Sequence, residues 1–301
     1  MKVIGIDIGG TAVKAGLVDE SGEIFARQSH ATPSSPESMS ALLSAITAEY
    51  APQAQAIGIG CKGIIEPETT RVAVLPGTLH YLEGIRLSEL TGSSLSVTAD
   101  NDARAAMAGE VLWGAAKGRR NALMLTLGTG VGGAIVADGR LLRGSTGVAG
   151  HIGHYTIEAD GVPCICGNRG CLETAFSAKA IEAEAFRAVH AGCETTLTRL
   201  PSQTCEGVFQ TAAAGDPIAG SIIEKATARL SGALAGLLLI FDPEVVILGG
   251  HITEAGDALL LPLAADLKRR TYSMLRREVP LVRASSPDSI VGAAALAFRL
   301  P

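Results

Sequence analysis

Aromatic residues are scarce in this sequence, only 4% of 301 positions, with a single Trp. There is also no long Lys/Arg cluster, and the formal net charge is −5. A mildly acidic chain without a basic stripe has no electrostatic reason to bind nucleic acid. No secretory leader is expected either. "MKVIGIDIGG" has one Lys and a short β-branched run, without the longer apolar stretch and small-residue cleavage site of a signal peptide. The most apolar segment, "LSGALAGLLLIF" at 230–241, is too short to cross a bilayer and is bracketed by Arg229 and Asp242. A cytoplasmic protein with no membrane association is therefore expected. No G-x-x-x-x-G-K-[ST] occurs, which excludes a P-loop. What the chain does have is 47% hydrophobic residues and 36 glycines, a balance that suits a soluble α/β protein with many tight turns.

The length is long for one domain and comfortable for two. "KVIGIDIGG" reads as a buried strand ending in a tight turn, and "AVKAGLVDESGEIFAR" as a hairpin. Ser35 and Pro36 form a helix start, followed by Met39, Leu42, Leu43, Ile46 and Tyr50 on one helical face. "SLSVTAD" is a strand running directly into an alanine-rich helix. The pattern then restarts at "NALMLTLGTGVGGAIVADGRLLRG". A shift of 119 positions places Gly9 on Gly128, Ala15 on Ala134 and Asp19 on Asp138. A duplicated hairpin opening each half predicts two similar domains. The expected boundaries are 1–117 joined by the C-terminal helix 286–301, and 118–285. That last helix, "SPDSIVGAAALAFRL", starts at a Ser-Pro-Asp cap.

Two loops call for a chemical reason, "DIGGT" at 7–11 and "LGTGVGG" at 127–133. Glycines after a strand let backbone N–H groups approach an anion, and phosphate is the expected one, with a plain hairpin as the alternative. Gly128, Gly130 and Gly133 match G-x-G-x-x-G, but a β-like segment follows where a dinucleotide fold needs a helix. In "ADNDARAA", one of Asp100, Asn101 and Asp102 is expected to cap the helix, leaving the others surplus. A surplus carboxylate beside a polar site can take a proton from a hydroxyl, and phosphate loops in both halves point to phosphoryl transfer.

Three of the six cysteines lie in "CICGNRGCLE", 164–173, ten residues after His154. In a reducing compartment such a cluster is more often metal-ligating or redox-active than disulfide-bonded. Cys-x-Cys-x4-Cys with an upstream His suits zinc and lacks thioredoxin spacing, and a disulfide stays open as an alternative. Cys61, Cys193 and Cys205 are expected to be small core residues.

Together, "DIGGT", "NDARAA", "GTGVGG", "AGHIGH" and "CICGNRGCLE" resemble the ROK family of sugar kinases and repressors over essentially the whole chain. The cysteine segment fits the family's Cys-x-Cys-Gly-x-x-Gly-Cys-x-Glu at every fixed position. The resemblance implies two actin-like, hexokinase-like α/β domains with a central cleft, ATP and Mg²⁺ as cofactors, a small-molecule sugar as substrate, and a homodimer. It assigns Asp102 as the base for the sugar 6-hydroxyl, with Asn101, His151, His154, Glu173, Gly63 and Thr78 on the sugar. Asp7, Gly9, Gly10 and Thr11 become the first phosphate loop, with Lys14 as a possible phosphate partner. Gly128, Thr129 and Gly130 become the second, and Gly249 and Gly250 part of the adenosine-side loop. His154, Cys164, Cys166 and Cys171 become ligands of a structural zinc.

Three departures from the family's glucokinases concern the sugar. "HIGH" stands where Glu-x-Gly-His is usual, and N-acetylmannosamine kinases of the family share the His-x-Gly-His. This leans the expected substrate toward N-acetylmannosamine, with glucose as the alternative. "CKGII" replaces a Pro-Gly, and Thr78 stands in an Asn position. Repressors of the family carry an N-terminal helix-turn-helix; with Gly5 so near the start of the chain, none is expected here. A sugar sensor without catalysis is the remaining alternative, disfavoured by Asp102 and an intact "DIGGT".

Overall fold

A computed structural model describes residues 1–285 and 288–298. The chain opens with β1 (Lys2–Ile8), β2 (Ala12–Asp19) and β3 (Ile24–Ala31), then α1 (Pro36–Tyr50) and β4 (Ala56–Cys61). A short ribbon of β5 (Ile64–Ile65) and β6 (Val72–Val74) precedes β7 (Ser96–Asn101) and α2 (Asp102–Trp113). Next come β8 (Ala122–Leu127), β9 (Val131–Ala137), β10 (Arg140–Leu141), α3 (Leu172–Ala175) and α4 (Ala178–His190). The chain continues through α5 (Cys205–Ala213), α6 (Pro217–Phe241), β11 (Val245–Gly249), α7 (Asp257–Leu275), β12 (Leu281–Arg283) and α8 (Ser289–Ala295).

Two sheets form, ordered β3-β2-β1-β4-β7 and β10-β9-β8-β11-β12. Numbered within each half, both read 3-2-1-4-5. This is the duplication that the shifted glycines point to, and it is the actin-like α/β organisation expected from the sequence. In the first sheet, β1 runs antiparallel to β2 and parallel to β4, and β4 is parallel to β7.

Residues 1–122, 134–150 and the described residues from Ala284 onward make one compact unit. Leu123–Gly133 and His151–Arg283 make the other. The sequence placed 134–150 in the second domain, whereas here it groups with the first unit. Side chains explain the difference. Arg143 Nε donates to Asp100 Oδ2 at 2.7 Å, and Arg104 Nη1 donates to the Ala149 carbonyl at 2.7 Å.

In the first unit both sheet faces are covered, so its inner strands are apolar almost throughout. On one face, Met39, Leu43, Ile46 and Tyr50 of α1 pack with Ile4, Ile6, Ile57 and Ile59. Ser35 caps α1 in a capping box and Pro36 opens it. Leu42, expected on the buried face, is only partly buried. Against Val3 and Val18 lie Ile290 and Ala294 of α8. Glycine permits that approach, since a Cβ on Gly58 would sit 1.9 Å from the Ala293 carbonyl oxygen. Asp288 caps α8 through the Ile290 N–H; Ser286 and Pro287 of the expected cap lie outside the described residues.

In the second unit α6 packs with α3, α4, α5 and α7. The apolar 230–241 segment is the C-terminal half of α6, and among the described residues no helix is long and apolar enough to cross a membrane. Cys61 and Cys205 are buried as expected, while Cys193 is only half-buried.

Candidate functional site

The candidate residues of the first unit gather at the carboxyl ends of β1, β4 and β7. The parallel register sets Asp7 beside Gly60, and Gly60 beside Asp100. Such ends carry the ligands of α/β sheets where strand order reverses, here between β1 and β4. Lys14 is the cross-strand partner of Asp7 and is exposed. Burial raises the proton affinity of Asp7, and the charge of Asp102 raises it further, while the Ser289 hydroxyl and Lys14 work against both. A carboxylate in such a field has a strong demand for a cation.

The three residues at the start of α2, Asp100, Asn101 and Asp102, have different fates. Asn101 is the N-cap, its Oδ1 accepting from the Ala103 N–H at 2.9 Å. Asp100 is wholly buried and not surplus, because Arg104 Nε and Arg143 Nε donate to its two oxygens and the Asn101 N–H adds a third bond. The spacing of Asp100 and Arg104, i and i+4, was a readable signal for one of these pairs. Arg143 offered none. Asp102 alone is exposed, with one oxygen accepting the Ala103 N–H at 2.9 Å.

Asn101 Nδ2 donates to the Gly63 carbonyl at 3.0 Å, which brings those two candidates together. Gly63 has φ +96, and a Cβ there would meet the Val74 carbonyl oxygen at 2.4 Å, so the position requires glycine. The first loop is a tight turn with the Gly9 N–H bonded to the Ala12 carbonyl at 3.1 Å, and Gly10 and Thr11 exposed. The Thr78 hydroxyl stands 3.2 Å from where a Gly10 Cβ would be, so this exposed residue sits against that loop.

The second unit repeats the arrangement. Gly128–Gly130 follows β8, and Gly249 and Gly250 close β11, its neighbour in the sheet. A Cβ on Gly128 would stand 3.2 Å from the His251 ring, and one on Gly250 would stand 2.3 Å from the Leu127 carbonyl oxygen. Glu173 comes to the same loop, its Oε2 accepting the Val131 N–H at 2.9 Å. His151 leads into a single turn, Ile152–His154, which rests on Val131. A Cβ on Gly153 would be 2.0 Å from the Val131 carbonyl oxygen. Val131 and His251 thus join the candidate site. Both lie inside loops that the sequence singles out, 127–133 and 249–252, but neither was named, Val131 because its backbone N–H and carbonyl leave no trace in a side-chain pattern.

His154, Cys164, Cys166 and Cys171 bring one ligand atom each within 4.8 Å of one another. Cys164 Sγ lies 3.5 Å from His154 Nδ1, and Cys166 Sγ lies 3.6 Å from Cys171 Sγ. With zinc–sulfur bonds of about 2.3 Å, the edges of a tetrahedron are about 3.8 Å, so the set fits a closed Cys₃His centre. The Asn168 N–H draws the Cys166 thiol below its ordinary range, whereas burial pushes the Cys164 and Cys171 thiols up. His154, not His151, faces the cysteines, and its Nδ1 points to them, which leaves Nε2 for another partner.

The glycine loops, the carboxylate at the head of a helix and the cysteine knuckle define an actin-like protein with the elements of phosphoryl transfer. The model of the ROK family matches residues 3–299, and the chain belongs to that family. It is 36% identical over 307 residues to a glucokinase of Streptomyces coelicolor, covering 98% of this chain and 96% of the relative. It is also 36% identical over 270 residues to an N-acetylmannosamine kinase of Yersinia pseudotuberculosis, covering 88% of each. Among solved structures, a Streptomyces griseus ROK glucokinase in complex with glucose and AMPPNP superposes with a TM-score of 0.82 at 30% identity, covering 98% of this chain and 99% of that one.

Proposed function

We propose that this chain transfers the γ-phosphoryl group of ATP to the 6-hydroxyl of a hexose or N-acetylhexosamine, with N-acetylmannosamine the favoured acceptor. The observation that carries the reading is the division of labour at the head of α2. Asp100 is consumed by two arginines and the Asn101 Oδ1 by the cap, while Asp102 stays exposed. An exposed Asp in a first helical turn also favours the helix dipole, which is its ordinary structural use. Its company, with Asp7, Lys14 and the first glycine loop in the same unit, supports the catalytic use.

In this reading the Asp102 carboxylate accepts the proton of the sugar 6-hydroxyl. The hydroxyl oxygen forms the new bond to the γ-phosphorus, the bond from that phosphorus to the bridging oxygen breaks, and ADP leaves. Asp7 is the carboxylate suited to hold magnesium, which when bound offsets the phosphate charge. The loops Gly9–Thr11 and Gly128–Gly130 orient the phosphates with N–H groups other than those of Gly9 and Gly128, which close the turns, and Lys14 is a further cation for them. Asn101, Gly63, Thr78, His151, His154 and Glu173 orient the sugar. Zinc on His154, Cys164, Cys166 and Cys171 would fix the fold of the 154–173 segment and take no part in the chemistry.

Equal identity to a glucokinase and to an N-acetylmannosamine kinase leaves the choice of sugar to the residues. His151 carries it. A neutral imidazole offers one acceptor where a carboxylate offers several, which disfavours a site built for a bare 2-hydroxyl. The test is ADP release with Mg·ATP against glucose, mannose, N-acetylglucosamine, N-acetylmannosamine, fructose and allose. Highest kcat/KM with N-acetylmannosamine is the expected result. Preference for glucose would overturn the substrate assignment, and sugar binding without turnover on any of them would replace the kinase by a sensor.

A further inference from the structure

Glu173 has a carboxylate with two oxygens, and one of them is already committed. Oε2 accepts the Val131 N–H at 2.9 Å, at the point where the second glycine loop enters β9. The fit is tight, since a Cβ on Gly130 would stand 2.2 Å from that same oxygen. A second bond ties the same two segments, from the Ala178 N–H to the Gly128 carbonyl at 2.8 Å. The loop is otherwise held by its own turn, Gly128 N–H to Gly130 carbonyl at 3.0 Å. Glu173 lies in α3, two residues after Cys171 of the cysteine cluster, and the Leu172 N–H before it is tied to the Tyr155 carbonyl at 2.9 Å.

We propose that Glu173 is a positioning residue for the nucleotide loop, so that a single carboxylate holds the phosphate-facing backbone with one oxygen and offers the other to the sugar. The proposal rests on the reading of Gly128–Gly130 as a phosphate loop. A loop that binds an anion through backbone N–H groups works only when those groups are oriented in advance. A charge-assisted bond from Val131 supplies that orientation, and a sugar drawing on the other oxygen shares the same carboxylate. Sugar and nucleotide affinities are therefore coupled through Glu173, and by linkage the coupling is reciprocal.

The experiment is calorimetric titration of the full-length, zinc-loaded protein with Mg·AMPPNP in the absence of any sugar. A residue that only touched sugar would not change this affinity. Glu173→Ala is expected to weaken AMPPNP about tenfold, the size of one hydrogen bond to a charged group. Glu173→Gln, whose amide oxygen still accepts, is expected to stay within about threefold while sugar affinity falls. Gly130→Ala pushes on the carboxylate, so its cost and that of Glu173→Ala should be far from additive in the double variant. AMPPNP affinity of Glu173→Ala within twofold of wild type, at unchanged melting temperature and zinc content, would overturn the proposal. If Glu173→Ala does not fold, the Val131 amide resonance decides. It should move upfield in Glu173→Gln, and an unmoved resonance refutes the bond. Wild-type protein that neither binds AMPPNP nor phosphorylates any sugar would bring down the kinase reading itself. Normal wild-type turnover with an indifferent Glu173→Ala would bring down this inference alone.

Discussion

Replacing Asp102 by Asn removes a charge and a proton acceptor while keeping the shape, and the structure separates the consequences by size. Asn Oδ1 can still accept the Ala103 N–H, so the start of α2 is preserved. Loss of one exposed negative charge in a first helical turn costs about 0.3–1 kcal/mol. Loss of a general base costs about 10²- to 10⁴-fold in turnover, or about 2.7–5.4 kcal/mol in the barrier. The amide can still contact the sugar 6-hydroxyl, so sugar affinity should stay within about threefold, well inside a single hydrogen bond. Removing the charge should also lower the proton affinity of Asp7, since Asp102 is among the causes that raise it. The assay is coupled ADP release for kcat and calorimetry for sugar affinity, with thermal melting as the control on folding. A fall in kcat of a hundredfold or more at near-normal sugar affinity is expected. A kcat within threefold of wild type would remove Asp102 from the base role.

Three further outcomes follow from other parts of the molecule. Asp100→Asn should destabilise by about 3–5 kcal/mol, because it leaves the fully buried Arg104 without its counter-charge; calorimetric melting at neutral pH measures it. Cys166→Ser should reduce bound zinc from near one per chain to a small fraction, read by elemental analysis, and its lower melting temperature should become indistinguishable from wild type once a chelator is added to both. Asp216→Asn should cost about 2–3 kcal/mol at neutral pH, since that carboxylate caps α6 and accepts from Thr195 and Thr196. Burial works to raise its proton affinity, but the N–H groups of Ala219 and Thr196 and the two hydroxyls outweigh this and hold the carboxyl well below the usual range. A depressed folded-state value stabilises above the unfolded value and is lost as pH falls through the folded one, so the difference between wild type and Asp216→Asn should shrink below about pH 4.

Local chemistry was readable from the sequence wherever cause and effect sit within a few residues. Ser35, Pro36 and the apolar spacing from Met39 to Tyr50 define α1 on their own. The cysteine spacing, with His154 ten residues upstream, defines a donor set that the fold then closes to within 4.8 Å. Long-range polar contacts were not readable. Asp100 looks like a spare carboxylate because one of its partners, Arg143, is 43 residues away. The same contact moves 134–150 into the first unit, which no composition boundary marks. Cys193 looks like a core residue by type, yet it follows the end of α4, where solvent reaches it.

The glycine loops show where sequence evidence stops and geometry takes over. As strings, "DIGGT" and "GTGVGG" are equally compatible with plain hairpins. Duplication would repeat a plain hairpin in both sheets, but it does not by itself explain where in the sheet the two loops stand. Both loops follow the first strand of a 3-2-1-4-5 sheet, beside the fourth strand, at the reversal point where α/β sheets bind ligands. Nor does a plain hairpin need its glycines against functional groups. Gly130 leaves room for the Glu173 carboxylate, Gly128 for the His251 ring, and Gly10 for the Thr78 hydroxyl. Alanine at any of the three would push away a polar side chain. Replacement of Gly130 should therefore weaken nucleotide binding through Glu173, whereas in a loop that bound nothing it would affect stability alone.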